Sequence, residues 1–112
     1  MKISIIIPVR NEAENIGRLL HGLQEYRDRG HELIVVDGGS EDETVVIARP
    51  LVDSLLVAPA GRACQMNLGA SMAHGNVLWF LHADSQIPDH ADELIKNALT
   101  NSASTWGRFD IR

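Results

Sequence analysis

The chain has a single cysteine, Cys64, in 112 residues. No internal disulfide can form, which suits a reducing compartment. No activating neighbour is identifiable, so Cys64 reads as a small packed residue rather than a reactive thiol. Basic charge is also scarce: the net charge is -5. That leaves no basic field for nucleic acid or an anionic membrane surface. There is no run of about 18 apolar residues, so no membrane span is expected. The apolar run after Lys2 ends at Pro8 without a small-residue cleavage site. It is therefore not read as a signal peptide, and the expected location is the cytoplasm. Two nucleotide-binding signatures are missing. The turn "PVRNEAEN" holds no glycine before Gly17, which rules out G-x-G-x-x-G, and no G-x-x-x-x-G-K-[ST] occurs. An aspartyl-nucleophile phosphatase would need an acid where Pro8 and Val9 stand. Repeats, linkers and low-complexity tracts are absent too.

What remains has the composition of one globular domain, 45% apolar and 22% charged. A chain of this length buries roughly two-thirds of the surface it exposes when unfolded, enough for a core. "ISIIIPV" and "ELIVVD" read as strands buried on both faces. "DSLLVA" is a weaker third strand, "NVLWFLHAD" a fourth, and "TWGRFDIR" begins a fifth. Between the first two, Ile16, Leu19, Leu20 and Leu23 form one helical stripe. Asn11 is the expected N-cap, with Glu14 closing a capping box, and Gly30 ends the segment. Ser40 and Glu43 repeat that spacing ahead of "TVVIA". "GRACQMNLGASMAHG" reads as a helix rich in small residues, closed by Gly75. A last helix starts near Pro88 and sets Leu94, Ile95, Ala98 and Leu99 on one side. The alternation predicts an α/β fold: a Rossmann-like, mostly parallel sheet with helices on both faces.

In such sheets ligands bind outside the carboxyl ends of the strands. Strand one ends at "PVRNE", strand two at "DGGSED" and strand four at "HADS", so three polar clusters share one edge. Asp84 follows a buried strand and suits a divalent cation, which takes one or two protein ligands and leaves the rest to phosphate and water. His82, two residues back on the strand, would lie on the same side and would favour Mn²⁺ over Mg²⁺. Against this, His82 could simply pack on the sheet and Asp84 cap a turn. Asp37 could accept hydrogen bonds from a base or ribose, or form the turn before Gly38 and Gly39. Glu12 could bind a ribose or sit in a first helical turn. Arg62 and Arg10 could each meet a diphosphate or be solvated. Carboxylates for a base, a sugar and a metal together suit a nucleoside diphosphate.

"IIIPVRNE", "VVDGGSEDET", "NLGASMAHG" and "FLHADS", in this order and spacing, resemble the nucleotide-binding half of family 2 glycosyltransferases with the GT-A fold. The resemblance covers nearly the whole chain. It implies that Pro8, Val9, Asn11 and Glu12 border the nucleoside and that Asp37 holds the base, commonly uracil. It places Arg62 near the base and diphosphate, and Arg10 and Gly38 are expected among the nucleotide-binding residues. Asn67 and Gly69 match a helix motif packed behind the site. Asp84 matches the last acid of the D-x-D that binds Mn²⁺ or Mg²⁺. His82 departs from it, since the family usually has Asp there. "LHADS" with the later "WGRFDIR" is similar to a bacterial subgroup of radical-SAM/selenodomain-associated transferases, in which histidine stands at that position. Family members run well beyond this length, and their acceptor side and catalytic base lie past the end of this chain. The implied activity is metal-assisted, inverting transfer of a sugar from a nucleoside-diphosphate sugar, with UDP expected, to an unknown acceptor. The competing expectation is a non-catalytic nucleotide-binding or subunit-interaction module. An apolar face left by the missing half would then favour a homo-oligomer.

Overall fold

The computed structural model describes residues 2–87, 90–101 and 108–111. Its strands are β1 (Ile3–Val9), β2 (Glu32–Asp37), β3 (Ser54–Val57), β4 (Val77–Leu81) and β5 (Arg108–Ile111). The helices are α1 (Ala13–Gly22), α2 (Gln24–Asp28), α3 (Thr44–Ala48), α4 (Arg62–Met72) and α5 (Ala91–Asn101). The five strands form one sheet in the order β3-β2-β1-β4-β5, and every pairing is parallel. This is the expected α/β Rossmann-like architecture.

Side-chain alternation along the strands divides the core. Ile3, Ile5, Ile7 and Val9 point to one face with Leu33, Val35, Trp79 and Leu81. Ile16, Leu19, Leu20 and Leu23 cover them from α1 and its C-cap, joined by Tyr26 and Ile95. Ile6, Ile34, Val36 and Phe80 point to the other face, against Met66 and the small residues of α4. The stripe read from the sequence is thus the buried stripe. Gly69 explains the small-residue helix. A Cβ there would lie 2.5 Å from Ile6 Cγ2 and 3.1 Å from Val36 Cγ2, so glycine lets α4 approach the sheet closely.

Several local expectations fail. Leu94 is 58% exposed while its neighbour Ile95 is buried, so the buried stripe of α5 runs through Ala91 and Ile95, one turn apart. Cys64 is exposed rather than packed. Asn67 is exposed as well, so of the pair only Gly69 packs behind the carboxyl edge. Pro88 and the side chains of Ala98 and Leu99 lie outside the described residues.

The amino edge is held by a polar cluster around the buried Asp92. Arg29 donates to Asp92 through Nε and Nη2, at 2.8 and 3.0 Å. The Ile3 N–H donates to His31 Nδ1 at 3.0 Å, which leaves the ring proton on Nε2, 3.2 Å from Asp92 Oδ2. The His31–Asp92 contact is therefore a hydrogen bond from a neutral imidazole rather than an ion pair. Burial pushes the His31 pKa down, and this outweighs the attraction of Asp92. A histidine kept neutral in the fold but free to protonate when unfolded, near its ordinary pKa of about 6.5, removes stability as pH falls through that value. The melting temperature is accordingly expected to drop between pH 7 and pH 5, and a His31→Gln variant to show a shallower drop. Parallel melting curves for the two proteins would contradict this assignment.

Candidate functional site

The crevice opens where the strand order reverses, between β1 and β4. The ladder from β1 to β2 runs through Val9↔Asp37, whereas that from β1 to β4 stops at Ile6↔Phe80. Pro8 accounts for the difference. The Gly38 N–H donates to the Val9 carbonyl at 2.9 Å, so Val9 turns its polar groups toward β2. Pro8, one residue earlier, turns toward β4 and has no N–H to donate. The two strands part there, at the position where open α/β sheets take their ligands.

Two loops form one wall of the crevice and are laced together. Asn11 adopts a left-handed conformation, φ 54°, which asparagine tolerates better than most residues. Its N–H donates to Ser40 Oγ at 2.9 Å, and its Oδ1 accepts the Glu41 N–H at 2.8 Å. Asn11 is therefore a cross-link between loops and not the expected N-cap. The residue at that cap is Glu12, which makes no side-chain capping bond. The first turn of α1 is capped from the other loop instead: Glu12 N–H by Thr44 Oγ1 at 2.9 Å, Ala13 N–H by Asp42 Oδ2 at 3.2 Å. The expected Ser40–Glu43 capping box is likewise absent, since α3 begins after Glu43 with no side-chain cap. Asp42 Oδ1 accepts the Thr44 N–H at 3.0 Å and its hydroxyl, and that hydroxyl bond holds the Asp42 carboxyl below its ordinary range.

Asp37 is 4% exposed and serves its own turn. Its Oδ2 accepts the N–H groups of Gly39 and Ser40, both at 3.0 Å, and its Oδ1 accepts the Ser40 hydroxyl. A carboxylate has about four acceptor positions, so one remains. Gly39 has φ 96°, which the turn requires. Gly38 is glycine for lack of space: a Cβ there would lie 2.7 Å from Gln65 Oε1.

The strand β4 ends at Leu81, one residue before His82, so the period-two argument linking His82 to Asp84 does not hold. The segment turns instead. The Ser85 N–H donates to the His82 carbonyl at 3.0 Å, and the His82 N–H donates to Ser85 Oγ at 3.0 Å. His82 Nε2 is closed off from solvent with no hydrogen-bond partner, while Asp84 is exposed. His82 Nε2 is therefore not placed to share a cation with Asp84. Among the described residues no group of three His, Cys, Asp or Glu is placed to hold a metal ion. A lone exposed carboxylate still fits a cation whose remaining ligands are phosphate oxygens and water.

Asp84 lines a cleft of about 390 Å³ together with Asn15 and Arg18 of α1. Arg18 Nη2 donates to Asn15 Oδ1 at 3.3 Å, and Asn15 Nδ2 donates to Glu12 Oε2 at 3.2 Å. This one-turn relay connects Glu12 to the Asp84 cleft. Arg62 opens α4 at the same edge, half-buried, its Nε 3.3 Å from Met66 Sδ. Arg10 is exposed beside Asn11. Sequence reasoning missed Asn15, Arg18 and Gln65. For Gln65 one signal existed, since it lies one turn before Gly69 and so falls on the buried face of α4.

The model of the Glycosyl transferase family 2 matches residues 4–111. Glycosyltransferase AglE from Haloferax volcanii is 38% identical over 91 residues, which cover 73% of this chain and 30% of that protein. Among solved structures, Staphylococcus aureus TarS 1-349 in complex with UDP-GlcNAc superposes with a TM-score of 0.72 at 26% identity, covering 90% of this chain and 32% of that one. The mannosyltransferase PcManGT from Pyrobaculum calidifontis, in complex with GDP-Man and Mn²⁺, gives 0.68 at 27% identity, covering 87% and 31%. The chain spans about a third of the length of these relatives.

Proposed function

Since the chain belongs to glycosyl transferase family 2, we propose that its carboxyl edge binds a nucleoside-diphosphate sugar for transfer to an acceptor. The observation that supports this reading is the parting of β1 from β4 at Pro8, on the sheet edge to which the segments carrying Asp37, Glu12, Arg62 and Asp84 belong. Two relatives of this fold have been solved with UDP-GlcNAc and with GDP-Man.

In this reading Val9, Asn11 and the Asp37–Gly38 turn border the base. The remaining acceptor position of Asp37 takes a base N–H, for which uracil is the proposed partner. Glu12 accepts from a ribose hydroxyl. Arg62, with Arg10 at the rim, offsets the diphosphate charge that grows as the sugar leaves. Asp84 is the proposed ligand for Mn²⁺ or Mg²⁺, which when bound would neutralise part of that same charge. The reaction is proposed to invert the anomeric centre. The acceptor oxygen bonds to sugar C1 as the bond from C1 to the diphosphate oxygen breaks, and a base takes the acceptor proton.

The test is thermal melting of the protein against UDP, GDP and ADP, each with Mn²⁺. UDP is expected to raise the melting temperature most, by the linkage of binding to folding. No rise with any of the three at millimolar concentration would overturn the reading.

A further inference from the structure

One side chain outside the ligand-lining set fastens three elements of the crevice together. Gln65 lies on α4 and is 5% exposed. Its Nε2 donates to the carbonyls of Val9 and Val36, both at 2.9 Å, and its Oε1 accepts the Gly61 N–H at 3.2 Å. The amide thus spends both N–H donors and one acceptor position on main chain from the end of β1, the end of β2 and the turn before α4. Gly38 lies against this amide, at the contact that forbids a Cβ there. A buried polar network fully satisfied in this way fixes the position of everything it touches. No aliphatic side chain of similar volume could supply those donors.

The three anchored points carry the proposed nucleotide contacts: Val9 leads into Arg10–Glu12, Val36 precedes Asp37, and Gly61 precedes Arg62. We infer that Gln65 is a positioning residue for nucleotide binding, which sets the spacing between the base wall and the diphosphate arginine without touching the ligand. Gly38 is its partner in the sense that the pocket wall can rest on the amide only if residue 38 has no side chain. This inference rests on the nucleotide-binding reading given above.

The experiment is calorimetric titration of UDP, with Mn²⁺ present, into the wild-type protein and into Gln65→Met and Gly38→Ala, well below each melting transition. Methionine keeps most of the volume and removes both donors, while the alanine methyl displaces the amide from the opposite side. Both variants are expected to bind UDP about tenfold more weakly, the equivalent of one hydrogen bond between the displaced wall and the nucleotide being lost. A structural role alone would lower the melting temperature and leave the dissociation constant of the folded fraction unchanged. Unchanged affinity in a folded Gln65→Met overturns the inference, and if that variant does not fold, unchanged affinity in Gly38→Ala does so. Absence of binding of UDP, GDP and ADP alike by the wild-type protein overturns the underlying reading together with it.

Discussion

Asp84→Ala is expected to weaken UDP binding by about 10- to 100-fold in the presence of Mn²⁺ and, in EDTA, to leave it unweakened or slightly tighter. The magnitude is that of one contact between charged groups, about 1.5–3 kcal/mol. The contrast between the two conditions follows from the geometry. Asp84 is exposed on the turn after β4, so its removal deletes no packed contact. Its carboxylate would otherwise repel the diphosphate, and only a bridging cation reverses that sign. An equal loss with and without Mn²⁺ would show that Asp84 shapes the cleft rather than holding a metal. His82→Asp sharpens the reading, because the His82 Nε2 is enclosed and that ring nitrogen is no ligand in this arrangement. Tighter Mn²⁺ binding by His82→Asp is the expected outcome, and weaker binding would mean that the ring turns outward when the ion arrives.

Trp79→Ala is expected to cost about 3–5 kcal/mol, the range for truncating a large aromatic in a core. For a domain of this size that lowers the melting temperature by on the order of 15 °C or more. Trp79 is fully buried at the centre of β4, and its ring meets that of Tyr26 edge-on at 6.0 Å. Trp79→Phe is expected to cost far less than Trp79→Ala. Phenylalanine keeps part of the ring packing, and the Trp79 Nε1 that it removes is buried without a hydrogen-bond partner. The indole donor contributes a desolvation penalty rather than a bond. A Phe variant as unstable as the Ala variant would mean that this account of the indole nitrogen is wrong. Chemical denaturation of the three proteins decides the matter.

The strands and the stripe on α1 were legible because periodicity is a local property. "ISIIIPV" has the length and β-branched content of a buried strand and occupies β1, residue for residue. The carboxyl-edge clusters were legible for the same reason, since parallel topology follows from alternation alone. Helix caps were not legible. The spacings at Asn11–Glu14 and Ser40–Glu43 suit capping boxes, yet the neighbouring loop supplies better donors and acceptors once β1 and β2 are paired. A local pattern was overridden by a contact about 30 positions away. His82 failed for a related reason: the same-side rule holds only while the chain remains a strand, and the strand stops at Leu81.

By itself, then, the sequence determined the buried residues of the strands and of α1 and which polar groups share an edge, because hydrophobic period and chain order leave few alternatives. Only the tertiary structure decided what those polar groups do. Whether Asp37 points into its own turn, Asn11 bridges two loops or Gln65 ties β1 to β2 depends on distances between segments remote in sequence. Hydrogen bonds are directional and short-ranged, so such partners are fixed only when the sheet brings the segments together.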